Sequence, residues 1–314
     1  MSQAIMNRPL TISPLLEEKS LDILMPIAPT ELSSQKSLYD AVSLKASIDI
    51  TKKYSTSFSI GILCLDRSIR DSIYQIYGFV RVADEIVDSF HGYDKEALLD
   101  EFEADTYKSI ERGISTNPVL NSFQLAVNRY NIDINLIKSF LHSMRMDLNA
   151  KNHDKTSYDT YIYGSAEVVG LMCLYVFVNG DMEEYIRLRP MAMKLGSAFQ
   201  KINFLRDIKE DSLHLGRVYF PGLNLAKFDN EIKNKLVGEI EFEFEVAIEG
   251  IKNLPNTSKF GVYLAFLYYK KLTSQIHVMK AKDLLNQRAS VSNFAKMGLA
   301  IKVIFMRKLN LSIS

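Results

Sequence analysis

The sequence lacks several patterns that would fix a class of function at once. Its 314 residues include no tryptophan, two cysteines and five scattered histidines. Cys64 and Cys173 stand singly in apolar surroundings, so we expect two reduced core residues rather than a disulfide framework or a zinc site. A net charge of +1, with no arginine-rich stripe among aromatic residues, argues against a nucleic-acid partner.

Targeting and cofactor signals are also scarce. No charged segment followed by an apolar core opens the chain, and no run of eighteen apolar residues occurs. We therefore expect neither secretion nor a membrane-spanning helix, which favours a cytoplasmic protein. No Gly-x-Gly-x-x-Gly element follows a strand pattern, so no Rossmann nicotinamide site is predicted.

Helix-breaking residues are few outside the N-terminus. There are 14 glycines, and four of the eight prolines fall in the first thirty residues. We interpret residues 1–36 as an N-terminal extension, either loosely docked or poorly ordered. Residues 37–314 show helical periodicity with short breaks, which predicts an all-α domain, a single bundle of about ten helices. Pro190 is predicted to begin a new helix inside the 181–212 stretch.

The first of two acidic motifs ends the long helical pattern that begins near residue 67. Asp84 and Asp88 are four residues apart, so both side chains lie on one face of a helix. Arg81 precedes Asp84 by three residues and is expected to pair with it or to meet a bound phosphate. This spacing alone is a weak signal, because a surface ion pair gives the same pattern.

The second motif is a stripe of polar residues on one helical face, and it is more informative. The stripe consists of Gln200, Asn203, Asp207, Glu210 and Asp211. An amphipathic surface helix would look similar, but the flanking turns are too apolar for a solvent-exposed helix. Clustered carboxylates repel each other, and Mg²⁺, which prefers oxygen ligands, would relieve that repulsion. Two facing half-sites predict several Mg²⁺ ions that bridge to a diphosphate, with Mn²⁺ as a substitute.

Together the motifs resemble those of the head-to-head prenyl synthases: the phytoene, squalene and dehydrosqualene synthases. The pattern is most similar to that of bacterial phytoene synthases. Five segments in matching order carry the resemblance: residues 54–58, residues 77–88, residues 163–170, residues 199–211 with 216–221, and the tyrosine-rich stretch 263–269. Glu85 replaces the second Asp of the commoner Asp-Asp-x-x-Asp form and keeps its carboxylate.

The resemblance implies a fold and a set of site residues. The fold would be the isoprenoid synthase fold, a helical bundle around a central apolar cavity with the two acidic motifs across its mouth. The implied metal ligands are Asp84, Asp88, Asn203, Asp207 and Asp211, and the four aspartates among them are the implied catalytic residues. The implied substrate-binding residues are Tyr54, Ser55, Thr56, Ser57, Tyr77, Arg81, Gln200, Arg206 and Tyr269, with Tyr268 competing for the last position. We also place Phe58 at the cavity, as an aromatic wall for a cationic intermediate.

The implied reaction joins two prenyl diphosphates through a cyclopropyl diphosphate. Because no nicotinamide motif is visible, two geranylgeranyl diphosphates giving phytoene, a carotenoid precursor, is the preferred outcome. A squalene-type product from farnesyl diphosphate, which would require NADPH, and dehydrosqualene are the alternatives. A head-to-tail prenyltransferase or a terpene cyclase is disfavoured by residues 54–58 and 167–170, and a non-catalytic scaffold by the intact aspartates. Substrate chain length stays open.

The last apolar segment, residues 299–311, carries Lys302, Arg307 and Lys308. It predicts either a terminal helix docked on the core or a helix in peripheral contact with a membrane.

Overall fold

The computed structural model describes residues 29–149, 153–215, 217–309, 311 and 313. Within these residues the chain forms α-helices and no β-strand, which confirms the predicted all-α class. The helices are α1 Pro29–Tyr54, α2 Thr56–Leu63, α3 Arg67–Asp88, α4 Lys95–Arg112, α5 Pro118–Tyr130, α6 Ile134–Asn149, α7 Lys155–Ile162, α8 Val168–Phe177, α9 Met182–Glu210, α10 Asn230–Asn253, α11 Asn256–Val278, α12 Ala281–Leu284 and α13 Asn293–Lys308. Two π-helical turns, Tyr163–Glu167 and Asp211–Leu215, follow α7 and α9.

The chain divides into two compact units, residues 1–41 and 42–314. The first is described only from residue 29, where α1 begins and carries an exposed Lys36–Asp40 ion pair at 2.8 Å. The second holds the rest of α1, the other helices and all of the candidate site. The predicted limit of the extension at residue 36 stays a prediction, and most of that extension lies outside the described residues.

Helix starts in the larger unit follow local capping chemistry. At most of them a side-chain oxygen accepts a hydrogen bond from a backbone N–H of the first turn, which satisfies a donor that the helix leaves free. The capping residues include Ser55, Asp66, Asp94, Asn117, Asp154, Asp181, Asp229 and Ser292. Short polar residues just before apolar runs therefore fix where these helices begin.

Two apolar clusters form the core of the larger unit. One is built mainly from α3, α5, α6 and α8, where Phe79 stacks on Phe123 with ring centroids 3.9 Å apart. The other is built mainly from α9, α10, α11 and α13. The stretch Lys155–Phe177 is long and apolar enough to cross a membrane by length and composition, but 56% of its most apolar window is buried in the protein. A central helix of a bundle has the same composition.

The prediction of a helix break at Pro190 is wrong. Helix α9 runs without interruption from Met182 to Glu210. Pro190 is exposed, as is Ile186, whose carbonyl loses its usual donor four residues later. Water can hydrogen-bond that carbonyl, so the proline is tolerated on the solvent side. The periodicity also missed α2, which is only eight residues long.

Two glycines set how closely α6, the first π-helical turn and α9 approach. A Cβ on Gly164 would lie 2.5 Å from the backbone oxygen of Ser139 in α6. One on Gly196 of α9 would lie 2.8 Å from the backbone oxygen of Ala166. Because both obstacles are backbone atoms, these positions exclude a larger residue.

Candidate active site

A cavity of about 670 Å³ lies at the centre of the larger unit. Its interior is apolar, with buried side chains such as Cys173, Leu188 and Ile251. One face of α8 contributes Val169, Cys173 and Phe177 at intervals of four residues. Charged residues with partly exposed side chains, such as Asp84 and Arg288, line the same cavity, so they mark its mouth.

The structure brings the predicted site residues together around this one cavity. Those with described side chains that line it are Tyr54, Ser55, Phe58, Tyr77, Arg81, Asp84, Asp88, Gln200, Asn203, Arg206, Asp207, Asp211 and Tyr269. The side chains of Thr56 and Ser57 lie outside the described part of the chain. Tyr268 also lines the cavity, so position does not separate it from Tyr269. The roles assigned to these residues stay predictions.

The first half-site occupies the last turns of α3. Arg81 donates hydrogen bonds to the carboxylates of Asp84 and Glu85, which fits the predicted pairing of Arg81 with Asp84. Burial, and then repulsion from Asp88, raise the pKa of Asp84 to about 6. The guanidinium of Arg81 lies 4.4 Å from the ring centre of Tyr54, whose hydroxyl donates to Glu85 at 3.3 Å. Glu85 therefore orients Arg81 and Tyr54 at the mouth.

The second half-site lies on α9 and the π-helical turn that follows it. Asp207 accepts hydrogen bonds from Arg206 and from Arg288, the latter at 2.6 Å. Although burial opposes it, these arginines hold the pKa of Asp207 below its usual range. Asp211 begins the turn, and burial followed by repulsion from Asp207 and Asp88 raises its pKa to about 7. Asn203 accepts a hydrogen bond from the Tyr269 hydroxyl at 3.2 Å.

Arg217 joins the two halves to a third helix, a connection that the sequence reading missed. Its guanidinium donates to the Asp88 carboxylate of α3 at 2.9 Å and to the backbone oxygen of Asp147 in α6 at 2.7 Å. The Asp147 carboxylate accepts from the Tyr161 hydroxyl at 2.6 Å and from the Tyr219 hydroxyl at 3.3 Å. Burial raises the pKa of Asp147 to about 7 despite the nearby Arg217.

Signals for these missed residues are uneven. Arg217 and Tyr219 lie inside the segment 216–221 that carried part of the resemblance, and Tyr161 precedes another such segment by two residues. All three could have been assigned from their places in or beside a motif. Asp147 and Arg288 show no local signal, because each lies in ordinary helical or loop sequence far from the acidic motifs.

Aromatic rings form much of the wall between the mouth and the interior. Phe58 stacks on Tyr77 with centroids 4.5 Å apart, and Phe199 stacks on Tyr269 at 3.9 Å. Such faces are attractive to a passing cation and unreactive toward it. The wall therefore fits a reaction whose intermediate carries positive charge.

The donor set at the mouth fits a divalent cation that a substrate helps to bind. Across the described residues, no three His, Cys, Asp or Glu side chains stand close enough to hold an ion by themselves. Burial, and then repulsion between neighbouring carboxylates, raises the pKa of Asp84 and of Asp211, so a cation bound there would stabilise their ionised forms. Mg²⁺ commonly uses one or two carboxylates and completes its shell with water and phosphate oxygens. These carboxylates fit that mode of binding.

Comparison with known proteins gives a consistent result. A model of the squalene/phytoene synthase family matches residues 51–295. The phytoene synthase of Arthrospira platensis is 29% identical over 275 residues, covering 79% of this chain and 88% of the relative. The 15-cis-phytoene synthase of Synechococcus elongatus is 28% identical over 277 residues, covering 79% of this chain and 88% of the relative.

Solved structures show the same fold. A dehydrosqualene synthase in complex with a ligand superposes with a TM-score of 0.72 at 22% identity, covering 86% of this chain and 98% of that one. A squalene synthase from Alicyclobacillus acidocaldarius superposes with a TM-score of 0.67 at 21% identity, covering 80% of this chain and 97% of that one. The fold implied by the resemblance is thereby confirmed, and the chain belongs to the squalene/phytoene synthase family.

Proposed function

We propose that this protein joins two geranylgeranyl diphosphates head to head to give phytoene. The observation that carries the proposal is the position of the two acidic half-sites at the mouth of one apolar cavity. A diphosphate head group fits the polar mouth, and a prenyl chain fits the apolar interior. The phytoene synthase names of relatives at 28–29% identity support the choice of product.

The residues at the mouth would bind and neutralise the diphosphates. Asp84 and Asp88 on one side, and Asn203, Asp207 and Asp211 on the other, would hold Mg²⁺, which when bound lowers the negative charge on the leaving diphosphate. Arg81, Arg206 and Arg288 line the same cavity and would donate hydrogen bonds to phosphate oxygens. Three guanidinium groups at one mouth favour departure of a diphosphate over its retention.

Each stage of the implied reaction balances without an oxidant or reductant. In the first, the C1–O bond of one substrate breaks with loss of diphosphate, the double bond of the second attacks C1, and a proton leaves as the cyclopropane ring closes. In the second, the cyclopropyl diphosphate loses its diphosphate, rearranges and gives up a proton to form the central conjugated triene of the product. The Tyr161 hydroxyl, hydrogen-bonded to Asp147, lies at the cavity and could pass such a proton on.

Water must be kept from the cationic intermediates. The apolar interior and the stacked pairs Phe58–Tyr77 and Phe199–Tyr269 exclude water while offering π faces to the cation. Geranylgeranyl and farnesyl chains differ by one five-carbon unit, so the cavity must also discriminate length. Squalene or dehydrosqualene formation from farnesyl diphosphate is the second candidate, since solved structures bearing those names share the fold.

A product assay tests the choice between these functions. The purified protein is incubated with geranylgeranyl or farnesyl diphosphate and Mg²⁺, with and without NADPH, and the hydrocarbon is identified by mass spectrometry. We expect a C40 hydrocarbon with a central conjugated triene from geranylgeranyl diphosphate without NADPH. A C30 product formed in preference to this C40 hydrocarbon would replace the proposal with its alternative, and no diphosphate release from either substrate would refute both.

Asp84→Asn and Asp207→Asn test the role of the half-sites. Each removes one carboxylate charge with little change in volume, and we expect diphosphate release to fall by roughly 100-fold or more. Asp105→Asn, at an exposed site on α4, is the matched control and should retain full turnover. Asp84→Asn should not unfold the protein, because it removes repulsion with Asp88. Unchanged turnover in a folded Asp84→Asn protein would contradict the assignment.

A further inference from the structure

The outer face of α13 exposes an apolar stripe. Phe294 is 92% exposed, and Met297, Ile301 and Phe305 are each about 60% exposed. These residues recur every three or four positions, so they share one side of the helix, and Leu309 continues the line just beyond it. Helix α13 has 16 residues, so the stripe is about 24 Å long.

The opposite side of α13 is already packed against the protein. Val303 and Met306 are buried in the second apolar cluster, and Arg307 donates to the backbone oxygen of Cys64 at 3.1 Å. The expectation of a terminal helix docked on the core therefore fits the inner face. It leaves the stripe unexplained, since nothing in the described part of the chain covers it. A contiguous apolar surface of this kind usually marks an interaction site.

The charge around the stripe indicates which partner it meets. Residues 278–314 contain seven lysines and arginines and a single acidic residue, Asp283. The whole chain has a net charge of only +1, so its other residues carry a net negative charge. Lys302 and Lys308 are exposed on α13 beside the stripe. An apolar stripe flanked by lysines is typical of a helix that lies on an anionic lipid surface.

Helix α13 also forms part of the cavity wall. Lys296 and Leu299 on its inner side line the cavity, and Lys296 lies over the Tyr268 ring at 5.6 Å. Just before α13, the half-exposed Arg288 reaches Asp207 at the mouth. One helix thickness, about 10 Å, therefore separates the stripe from the cavity. A hydrocarbon that leaves beside α13 would enter a bilayer without crossing water.

We propose that the outer face of α13 binds an anionic membrane surface, with its apolar stripe in the headgroup region and the flanking lysines near lipid phosphates. The benefit for substrate entry and product exit rests on the proposed function, but the binding itself does not. The partner is a lipid bilayer rather than a second copy of the chain, because the lysine-rich surfaces of two copies would repel each other.

Vesicle flotation tests the proposal on the full chain. The probes are vesicles of phosphatidylcholine alone or mixed with phosphatidylglycerol, at low salt. We expect at least tenfold tighter binding to the anionic vesicles. Phe294→Ser/Ile301→Ser/Phe305→Ser should weaken that binding by roughly 100-fold. Lys302→Gln/Lys308→Gln should weaken it by about 20-fold.

Controls separate this proposal from the proposed function. Ile186→Ser/Phe242→Ser replaces apolar side chains of similar exposure on α9 and α10 and should bind vesicles like the unaltered protein. Turnover of detergent-dispersed substrate should be equal in all these variants, whichever product forms. Failure of the unaltered protein to float with anionic vesicles would overturn the proposal. So would equal flotation of the stripe and control variants, or a solution dimer that the stripe substitutions split into monomers.

Discussion

Replacing Arg217 by Gln should destabilise the protein far more than removal of a surface arginine does. Arg217 is 9% exposed, and its guanidinium lies 3.6 Å from the Asp147 carboxylate, which is 5% exposed. Asp88 is 35% exposed, so water can solvate its carboxylate when the arginine is removed. Asp147 has no such access. The cost therefore comes mainly from leaving the Asp147 charge buried and unpaired.

The size of this effect follows from burial and protonation. Breaking a buried ion pair from one side costs about 3–5 kcal/mol, but Asp147 can reduce that cost by taking up a proton. Its pKa is already about 7 with Arg217 present and rises further without it. We therefore expect a loss of about 2–4 kcal/mol at pH 8, or roughly 5–10 °C in Tm. At pH 6 the loss should be about 1–2 kcal/mol, from missing hydrogen bonds alone.

Urea denaturation followed by far-UV circular dichroism at both pH values measures the effect, since the chain has no tryptophan. Arg187→Gln is the matched control: Arg187 donates two hydrogen bonds to Glu184, at 2.6 and 3.0 Å, but the two side chains are 45% and 38% exposed. It should cost less than about 1 kcal/mol. Adding Asp147→Asn to Arg217→Gln should recover about half of the loss at pH 8. Equal effects of Arg217→Gln and Arg187→Gln, or no recovery in the double variant, would refute the reasoning.

Further predictions concern pH and packing. Burial raises the pKa of Glu167 to about 7, so the folded state binds this proton more tightly than the unfolded state. The resulting stabilisation is complete below pH 4.5 and disappears as the pH rises through 7. The free energy of unfolding therefore falls between pH 5 and 8, and Glu167→Gln should make this fall smaller. Glu245→Gln, at an exposed position, should leave the fall unchanged. Gly164→Ala should cost about 1–3 kcal/mol, because its Cβ would lie 2.5 Å from a backbone oxygen. Gly238→Ala, within α10 and with nothing inside 4 Å, should instead stabilise the protein by about 1 kcal/mol. Calorimetric Tm shifts of the same sign for both glycine variants, relative to the unaltered protein, would contradict this account.

The parts of the site that lie within one helix could be predicted from the sequence. Asp84 and Asp88 share a face because helical geometry fixes their direction, and the same holds for Asn203 and Asp207. Both pairs line the cavity. Residues 54–58 had no periodic signal and were identified only by resemblance. The structure adds the local reason for their shape: the Ser55 side chain caps α2 by accepting from the Phe58 N–H at 3.2 Å.

The rest depends on contacts that no local pattern encodes. The hydrogen bond from Arg217 to Asp88 spans 129 residues of sequence, and that from Arg288 to Asp207 spans 81. Periodicity indicates which face of a helix is buried, but it does not say which helix will be opposite. Pro190 shows that a local signal can also mislead. Proline usually breaks a helix, but α9 continues through Pro190 because the carbonyl that loses its donor is on the solvent side.

Three residues of α8 line the cavity at increasing distances along its wall. Val169, Cys173 and Phe177 follow one another at nearly one turn of helix, so each stands about 6 Å further along the wall than the last. Under the proposed function, a prenyl chain that extends along this wall would end against one of these three positions, depending on its number of five-carbon units. Substrate length would then be adjustable by side-chain volume at a single step of one helix, while the carboxylates at the mouth stay unchanged.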